Sequence, residues 1–267
     1  MMDGVHAITF DFGNTLVPFP AAPMASVVDL TAETAAGLVG CSPAEFVAVW
    51  GEERRRQFAE DVPEGREADM DVRVARVLAR LRGRPAPPPG ERWDDSAAGS
   101  CCEPHEIESI LDRYAAAFVG TTPVPPDIGP MLERLSRDRP LAILSNWPLA
   151  LSVDRFLEAA GWRRHLAAVV VSQRVGAIKP WPAIFEAAAA ELGLESGPGI
   201  LHVGDDLGAD VVGAHGVCWR VAWVRVKPED SPLPVAPPAP DAAPDLTIDS
   251  VLELENALLP APRRPAR

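Results

Sequence analysis

The feature that most constrains the fold of this chain is an alternation of short, apolar, β-branched runs with stretches of helical periodicity. The alternation fills the C-terminal half, and one more run of the same kind lies near the N-terminus. Strands that alternate with helices are typical of right-handed βαβ units, which build a parallel sheet. The predicted strands are Val5–Phe10, Leu141–Leu144, Ala167–Val171, Ile200–Val203, Trp219–Val224 and Leu246–Ile248.

The segment between the first two strands has no strand pattern and is predicted to be helical. Its helices are expected at 24–39, 42–59, 67–82 and 103–119, and Pro, Gly and Ser residues make 83–102 a predicted loop. Further helices are expected at 127–138, 149–160 and 182–192. The simplest arrangement is an α/β core of residues 1–20 and 121–267, with a Rossmann-like open parallel sheet. Residues 21–120 then form a helical cap, inserted after the first strand.

The C-terminal part of the chain carries two further patterns. The Pro-rich stretch 228–244 predicts an irregular surface excursion. Ser250 and Glu253 have the spacing of a capping box, which predicts a closing helix that ends near Leu259.

Composition excludes several classes of function. The 267 residues carry a formal net charge of −13 and 47% are hydrophobic, which indicates a folded, acidic protein. Non-specific binding to nucleic acid or to an anionic membrane needs positive surface, so we expect neither partner. No apolar run reaches the roughly 18 residues of a membrane span, and the N-terminus lacks a basic segment leading into an apolar one, so a cytoplasmic location is expected. The four cysteines lack zinc-finger spacing and are expected to be reduced thiols.

Polar residues follow three of the predicted strands. Asp11 ends the first strand, Ser145-Asn146 the second and Asp205-Asp206 the fourth. Ligands bind at the carboxyl ends of parallel strands, so these side chains are expected to share one crevice.

Lys179 and Asp210 complete this set. Lys179 is one of only two lysines in the chain, and Asp210 lies four residues beyond Asp206. A hydroxyl and backbone amides can hold an anionic oxygen, a lysine can neutralise it, and several carboxylates can hold a hard cation such as Mg²⁺. Each residue alone has an ordinary interpretation as a turn former, a helix cap or a surface charge. Their order at successive strand ends favours a catalytic site in which Asp11 is a nucleophile or a ligand.

Four stretches of the chain resemble the four motifs of the haloacid dehalogenase superfamily, in the usual order. They are AITFDFGNTL, LAILSNW, GAIKPWPAIFEAA and LHVGDDLGADVVGA. The resemblance covers residues 5–20 and about 121–259, and the helical segment lies at the position of the family's cap. Most members of this superfamily hydrolyse phosphate esters through an aspartyl-phosphate, with Mg²⁺.

The resemblance implies a role for each site residue. Asp11 would attack phosphorus, and Lys179 would hold Asp11 and the phosphoryl group together. The residues implied in substrate or phosphate binding are Thr15, Ser145, Asn146, Trp147 and Lys179. The implied Mg²⁺ ligands are Asp11, the backbone carbonyl of Gly13, and Asp205 assisted by Asp206 or Asp210. Trp147 has an equally good interpretation as a core residue under the cap.

Gly13 departs from the pattern of the family's phosphatases. They usually carry a second Asp at this position, which protonates the leaving oxygen and then activates water. General acid–base help is typically worth about 10² to 10⁴ in rate, so a good leaving group could still be displaced without it.

Several branches of the family also lack that Asp. The dehalogenase branch does, but it needs no Mg²⁺, and the adjacent carboxylates Asp205 and Asp206 repel each other without a cation. The phosphonatase branch uses a cap lysine, and residues 1–178 contain none. Some members classed as hydrolases have Gly followed by Asn, as in Gly13-Asn14. We therefore favour a Mg²⁺-dependent phosphatase, with a phosphate-ligand binding or regulatory module as the alternative.

The sequence indicates little about the substrate. The resemblance implies a small phosphorylated metabolite, and oligomeric state stays open. Arg54, Arg55 and Arg56 could reach an anionic substrate, although a charge run is more often a solvated helix surface. His202 lies in an apolar strand and is interpreted as structural.

Overall fold

A computed structural model of the chain describes residues 4–237 and 239–258. Six strands form one fully parallel sheet, as the sequence predicted, and the structure gives their order as β3-β2-β1-β4-β5-β6. The strands are β1 (Ala7–Phe10), β2 (Leu141–Ser145), β3 (Ala168–Val171), β4 (Ile200–Gly204), β5 (Arg220–Val224) and β6 (Leu246–Ile248).

Strand β1 lies inside the sheet, between β2 and β4. Every residue of these three strands is buried, which accounts for their unbroken apolar runs. Phe10 is in register with Ile143 on one side and Val203 on the other. The residues that follow these strands therefore meet at one edge of the sheet.

Six helices separate β1 from β2, five in the segment 21–121 and a sixth just before β2, and the others alternate with or follow the remaining strands. The first group is α1 (Ala21–Val39), α2 (Pro43–Asp61), α3 (Met70–Leu81), α4 (Asp95–Gly99) and α5 (Pro104–Thr121). The second group is α6 (Ile128–Leu135), α7 (Ala150–Ala159), α8 (Ser172–Val175), α9 (Pro182–Glu191), α10 (Gly213–Gly216) and α11 (Leu254–Leu258). Single helical turns lie at 62–64, 163–165 and 251–253, and a π-helix lies at 207–212.

The helix caps explain where several of these elements begin. Ser42 accepts a hydrogen bond from the Glu45 amide, as its position before Pro43 suggests. Ser250 and Glu253 form the predicted capping box, and Leu259 lies outside the described residues. The prediction of an uninterrupted loop at 83–102 is wrong, because Asp94 caps the short helix α4.

An aromatic cluster joins the helical segment to the sheet. Phe12 and Phe19 follow β1, Phe118 comes from α5, Trp147 follows β2 and Phe156 comes from α7. The Phe19 and Phe118 rings are stacked with centroids 5.6 Å apart, and Trp147 lies 5.4 Å from Phe118. The cluster holds the loops that leave β1 and β2 in place.

The segment 227–237, here called the strap, is irregular as predicted but is more than a surface excursion. It runs across the carboxyl edge of the sheet and touches both the β1 loop and the β4 loop. The Ser231 hydroxyl accepts a hydrogen bond from Asn14 at 3.0 Å, and the Ala236 amide donates to Asp206 at 2.8 Å.

Within the described residues, no single helix is both long and apolar enough to span a membrane. Helices α1 and α2, continued to Glu64, meet the length and composition only as a pair bent by 110°.

Candidate active site

Asp11 is the first residue after β1. Hydrogen bonds fix it at two points, its backbone amide and one oxygen of its carboxylate. Its amide donates to Val203 at 2.8 Å. Its Oδ1 accepts from Lys179 Nζ at 2.7 Å and from the Ser145 hydroxyl at 3.1 Å. No described residue hydrogen-bonds to Oδ2. The carboxylate is therefore oriented through one oxygen, and the other is left for chemistry.

Lys179 lies at the centre of the site with all three of its N–H donors in use. The ammonium donates to Asp11, to Asp210 at 2.7 Å and to the Leu144 carbonyl at 3.0 Å. Asn146 hydrogen-bonds to both backbone groups of Lys179, at 2.7 and 3.0 Å. The structure thus places Asn146 against the lysine backbone, where it positions the ammonium.

Asp210 is held ionised beneath the site. His202 Nε2 lies 3.0 Å from its Oδ1, and the Asp206 amide donates to its Oδ2 at 2.9 Å. Burial raises the pKa of Asp210, but Lys179 and His202 outweigh burial and hold the pKa well below its usual value. His202 is itself buried, and burial lowers its pKa. His202 therefore acts as a neutral hydrogen-bonding partner, which agrees with the structural interpretation of the sequence.

Three buried carboxylates converge at this edge of the sheet. Asp11, Asp205 and Asp210 place oxygens within 4.8 Å of one another. Burial and the neighbouring acids raise the pKa of Asp11 to about 6 despite Lys179, and burial and Asp210 raise the pKa of Asp205 to about 6. Two of the three carboxylates thus keep their protons to a higher pH than an ordinary aspartate does when no cation is present. Buried oxygen ligands at this spacing suit a hard divalent cation.

Asp205 also contacts the side chains of Lys227 and Thr15. Lys227 of the strap donates to its Oδ2 at 2.9 Å, and the Thr15 hydroxyl lies 3.4 Å from its Oδ1. Gly204 precedes it because a side chain there would overlap the Asp210 carboxylate.

Asp206 points away from the three converging acids. Its Oδ1 accepts from the amides of Gly208 and Ala209, which makes it the cap of the π-helix, and its Oδ2 accepts from Ala236. The geometry therefore favours Asp210 over Asp206 as the third acid of a cation site.

The space beside Gly13 is filled by apolar side chains. A methyl group at position 13 would approach Leu233 Cδ1 to 2.7 Å, Trp147 to 3.5 Å and Phe19 to 3.6 Å. Trp147 is buried in the aromatic cluster, and its Nε1 donates to Ser152 at 2.9 Å. Leu233 of the strap thus lies where a larger residue at position 13 would place its side chain.

Sequence reasoning missed Lys227 and the strap. Lys227 is the only lysine besides Lys179, and that scarcity was the one signal that could have drawn attention to it. Ser231 and Leu233 lie in a Pro-rich stretch without periodicity, so nothing local indicated that they contact the site.

Comparison with known proteins identifies the family that this sequence matches. The model of the family described as haloacid dehalogenase-like hydrolase matches residues 5–217. Pyrimidine 5'-nucleotidase YjjG of Escherichia coli (strain K12) is 28% identical over 167 residues, which are 62% of this chain and 69% of the relative. Ribulose-1,5-bisphosphate 5-phosphatase of Halopiger xanaduensis is 28% identical over 217 residues, which are 79% of this chain and 81% of the relative.

The fold is similar to that of a solved 2-haloacid dehalogenase from Pseudomonas syringae pv. Tomato DC3000. The TM-score is 0.65 at 22% identity, over 95% of this chain and 98% of that chain. At this identity the likeness concerns the fold alone. Together with the family match over most of the sequence, it shows that the chain belongs to the haloacid dehalogenase-like hydrolases.

Proposed function

We propose that this hydrolase is a Mg²⁺-dependent phosphatase that transfers the phosphoryl group of a small phosphorylated metabolite to Asp11. The main support for this proposal is the arrangement of the Asp11 carboxylate. Lys179 and Ser145 hold its Oδ1, and its Oδ2 has no hydrogen-bond partner among the described residues. An oriented carboxylate with one free oxygen is arranged for attack, because its reactive atom needs no reorientation. The nucleotidase and phosphatase relatives support a phosphorylated substrate.

The proposed reaction has two displacements at phosphorus. Asp11 Oδ2 attacks the phosphorus, the bond to the leaving oxygen breaks, and that oxygen takes a proton from solvent. Water then attacks the phosphorus of the aspartyl-phosphate and gives up a proton to solvent, the bond to Asp11 breaks and inorganic phosphate leaves. Lys179 offsets the repulsion between two anions, and the Ser145 hydroxyl would turn from Asp11 Oδ1 to donate to a phosphoryl oxygen.

The residues present fit a divalent cation. Asp11, Asp205 and Asp210 would hold it, and the raised pKa values of Asp11 and Asp205 mark carboxylates that a positive charge would stabilise. When bound, the cation would neutralise charge on the transferring group.

Gly13 shapes the expected substrate range. The residue has no proton to give, and its surroundings are the apolar side chains of Leu233, Trp147 and Phe19. We therefore expect leaving groups that depart without protonation to react fastest.

Hydrolysis of p-nitrophenyl phosphate and acetyl phosphate tests the proposal, since both have such leaving groups. With Mg²⁺, the protein is expected to release phosphate from both, and the Asp11→Asn variant is expected to lose that activity. A sugar-phosphate panel extends the test to metabolites. If the protein shows no activity above the variant on any of these substrates, the phosphatase proposal fails.

The position of the strap supports an alternative function, a phosphate-ligand binding module. The strap covers the Gly13 loop, and its Lys227 pairs with Asp205. Binding of inorganic phosphate without Asp11-dependent turnover would support this second function.

A further inference from the structure

Arg73 is a buried cation that forms no ion pair with a described residue. It lies on α3 with 2% of its surface exposed, and its guanidinium stacks over the rings of Trp50 and Phe58, at 5.5 and 5.9 Å. Its hydrogen bonds go to two neutral oxygens, Gln57 Oε1 at 3.1 Å and the Ala68 carbonyl at 3.0 Å. No carboxylate of a described residue lies within ion-pair distance. A buried charge without a counterion is unfavourable, so an anion at this position would stabilise the fold.

The neighbouring arginines of α3 differ from Arg73 because each of them forms ion pairs. Arg76 is equally buried, and it pairs with Glu60 at 2.8 Å and with Asp95 at 2.7 Å. Arg80 pairs with two acids of α2. Arg73, in contrast, forms no ion pair with a described residue, and the charges of Glu67 and Asp69 act on it only from beyond ion-pair distance.

Arg54 of α2 is a second guanidinium of the same kind. It lies 5.1 Å from the Phe58 ring, the ring that Arg73 also approaches, and the two like charges repel. Its single hydrogen bond to a described residue goes to the Pro232 carbonyl of the strap at 3.2 Å, and no described carboxylate is within ion-pair distance. Neither of these adjacent cations has an ion-paired acid among the described residues, so both guanidiniums can bind a further anion.

Arg54 connects this pair to the catalytic site through the strap. It contacts Pro232, and the next strap residue, Leu233, is the one against Gly13. Arg73 lies behind Arg54, at the same Phe58 ring. Helix α3, which carries Arg73, begins beside the loop that leaves β2, since the Met70 amide donates to the Pro148 carbonyl at 3.0 Å.

We propose that Arg54 and Arg73 form a subsite for a second anionic group, a carboxylate or a phosphate, of the substrate whose phosphoryl group reaches Asp11. The phosphoryl half of this statement rests on the proposed function. Guanidiniums donate paired, charge-assisted hydrogen bonds to both kinds of anion. The second group replaces the Pro232 carbonyl on Arg54, so a substrate of this class displaces the strap as it binds.

Calorimetric titration of the Asp11→Asn variant with Mg²⁺ tests the subsite without turnover. The probes are phosphoglycolate, the bisphosphate of ethylene glycol, and 2-hydroxyethyl phosphate, which lacks the second anion. At least one of the two probes with a second anionic group is expected to bind about tenfold or more tightly than the hydroxyl probe, since a hydrogen bond to a charged group is typically worth that much. The preferred probe distinguishes a carboxylate from a phosphate.

Adding Arg54→Met to that background is expected to remove the preference and leave the hydroxyl probe unchanged. The matched control is Arg55→Met, because Arg55 is the next residue on α2, carries the same charge, is exposed and also has no ion pair among the described residues. The control is expected to keep the preference. Arg73→Lys, checked for folding by its melting temperature, is expected to weaken it, because a lysine lacks the planar fork.

The outcomes separate this subsite from the phosphatase proposal. Equal binding of all three probes, no binding of any, or equal loss in the Arg54 and Arg55 variants overturns the subsite. A retained preference in a protein without Asp11-dependent hydrolysis supports the subsite and overturns only the phosphatase.

Discussion

At the scale of single residues, protonation of Asp11 and Asp205 controls what the site can bind. The pKa of each is raised to about 6, mainly by burial, above the ordinary value of 3.8. Ionising them is therefore harder in the folded protein than in the unfolded chain. Without a cation, their contribution to stability is most favourable below pH 4 and is lost as pH rises through about 6.

Mg²⁺ should consequently raise the melting temperature more at pH 7.5 than at pH 5. At pH 7.5 both carboxylates are ionised and ready to bind, whereas at pH 5 the cation must displace their protons. Differential scanning fluorimetry with and without Mg²⁺ at the two pH values measures the difference. Asp205→Asn should abolish most of the shift at pH 7.5, and Asp249→Asn, on an exposed acid, should preserve it. An equal shift at both pH values would contradict this account of the site.

At the scale of elements, the strap decides what can stand beside Gly13. A side chain at position 13 meets the flexible end of Leu233, so it can be accommodated only if the Leu233 side chain shifts. An added acid and the strap leucine therefore compete for one space, and mutations at the two positions should not be additive.

Gly13→Asp is expected to help more when Leu233 is shortened. On an alkyl phosphate, which needs a protonated leaving group, the double variant Gly13→Asp/Leu233→Ala should exceed Leu233→Ala alone by about tenfold or more in kcat/KM. Gly13→Asp with Leu233 intact should gain less. On p-nitrophenyl phosphate the added acid should matter little. The same gain in both backgrounds would mean that the strap does not restrict position 13.

At the scale of the whole molecule, the aromatic cluster couples the helical segment to the sheet. Phe118 of α5 is fully buried among rings that follow β1 and β2. We propose two domains, as predicted from the sequence: a core of residues 1–20 and 121–267, and a cap of residues 21–120. Packing of this kind predicts that the two parts unfold together.

Phe118→Ala is expected to lower the free energy of unfolding by about 3–5 kcal/mol, because it leaves a large cavity in that cluster. Urea denaturation followed by tryptophan fluorescence and by far-UV circular dichroism measures the loss. Leu38→Ala, at a position 39% exposed on α1, is the control and should cost less than about 1 kcal/mol. Two separate transitions in the unaltered protein would show that the parts unfold independently.

The sequence by itself determined the sheet and the acids at its edge. Buried parallel strands need unbroken apolar runs, and the polar residues that end them stand out locally, so β1, β2 and β4 and the acids Asp11 and Asp205 could be identified without a structure. Sequence periodicity also placed the helices α1 to α3 and α5 within a few residues.

The tertiary structure alone decided which polar groups meet. From the sequence, Asp206 and Asp210 are equally good candidates for a cation ligand. In the structure Asp206 caps a helix, whereas Asp210 accepts a hydrogen bond from Lys179. Lys227 and Leu233 reach the site from a segment without periodicity, because a Pro-rich chain carries no signal of what it packs against. Local pattern records which face of an element is buried, whereas contacts between residues distant in sequence depend on how the elements assemble.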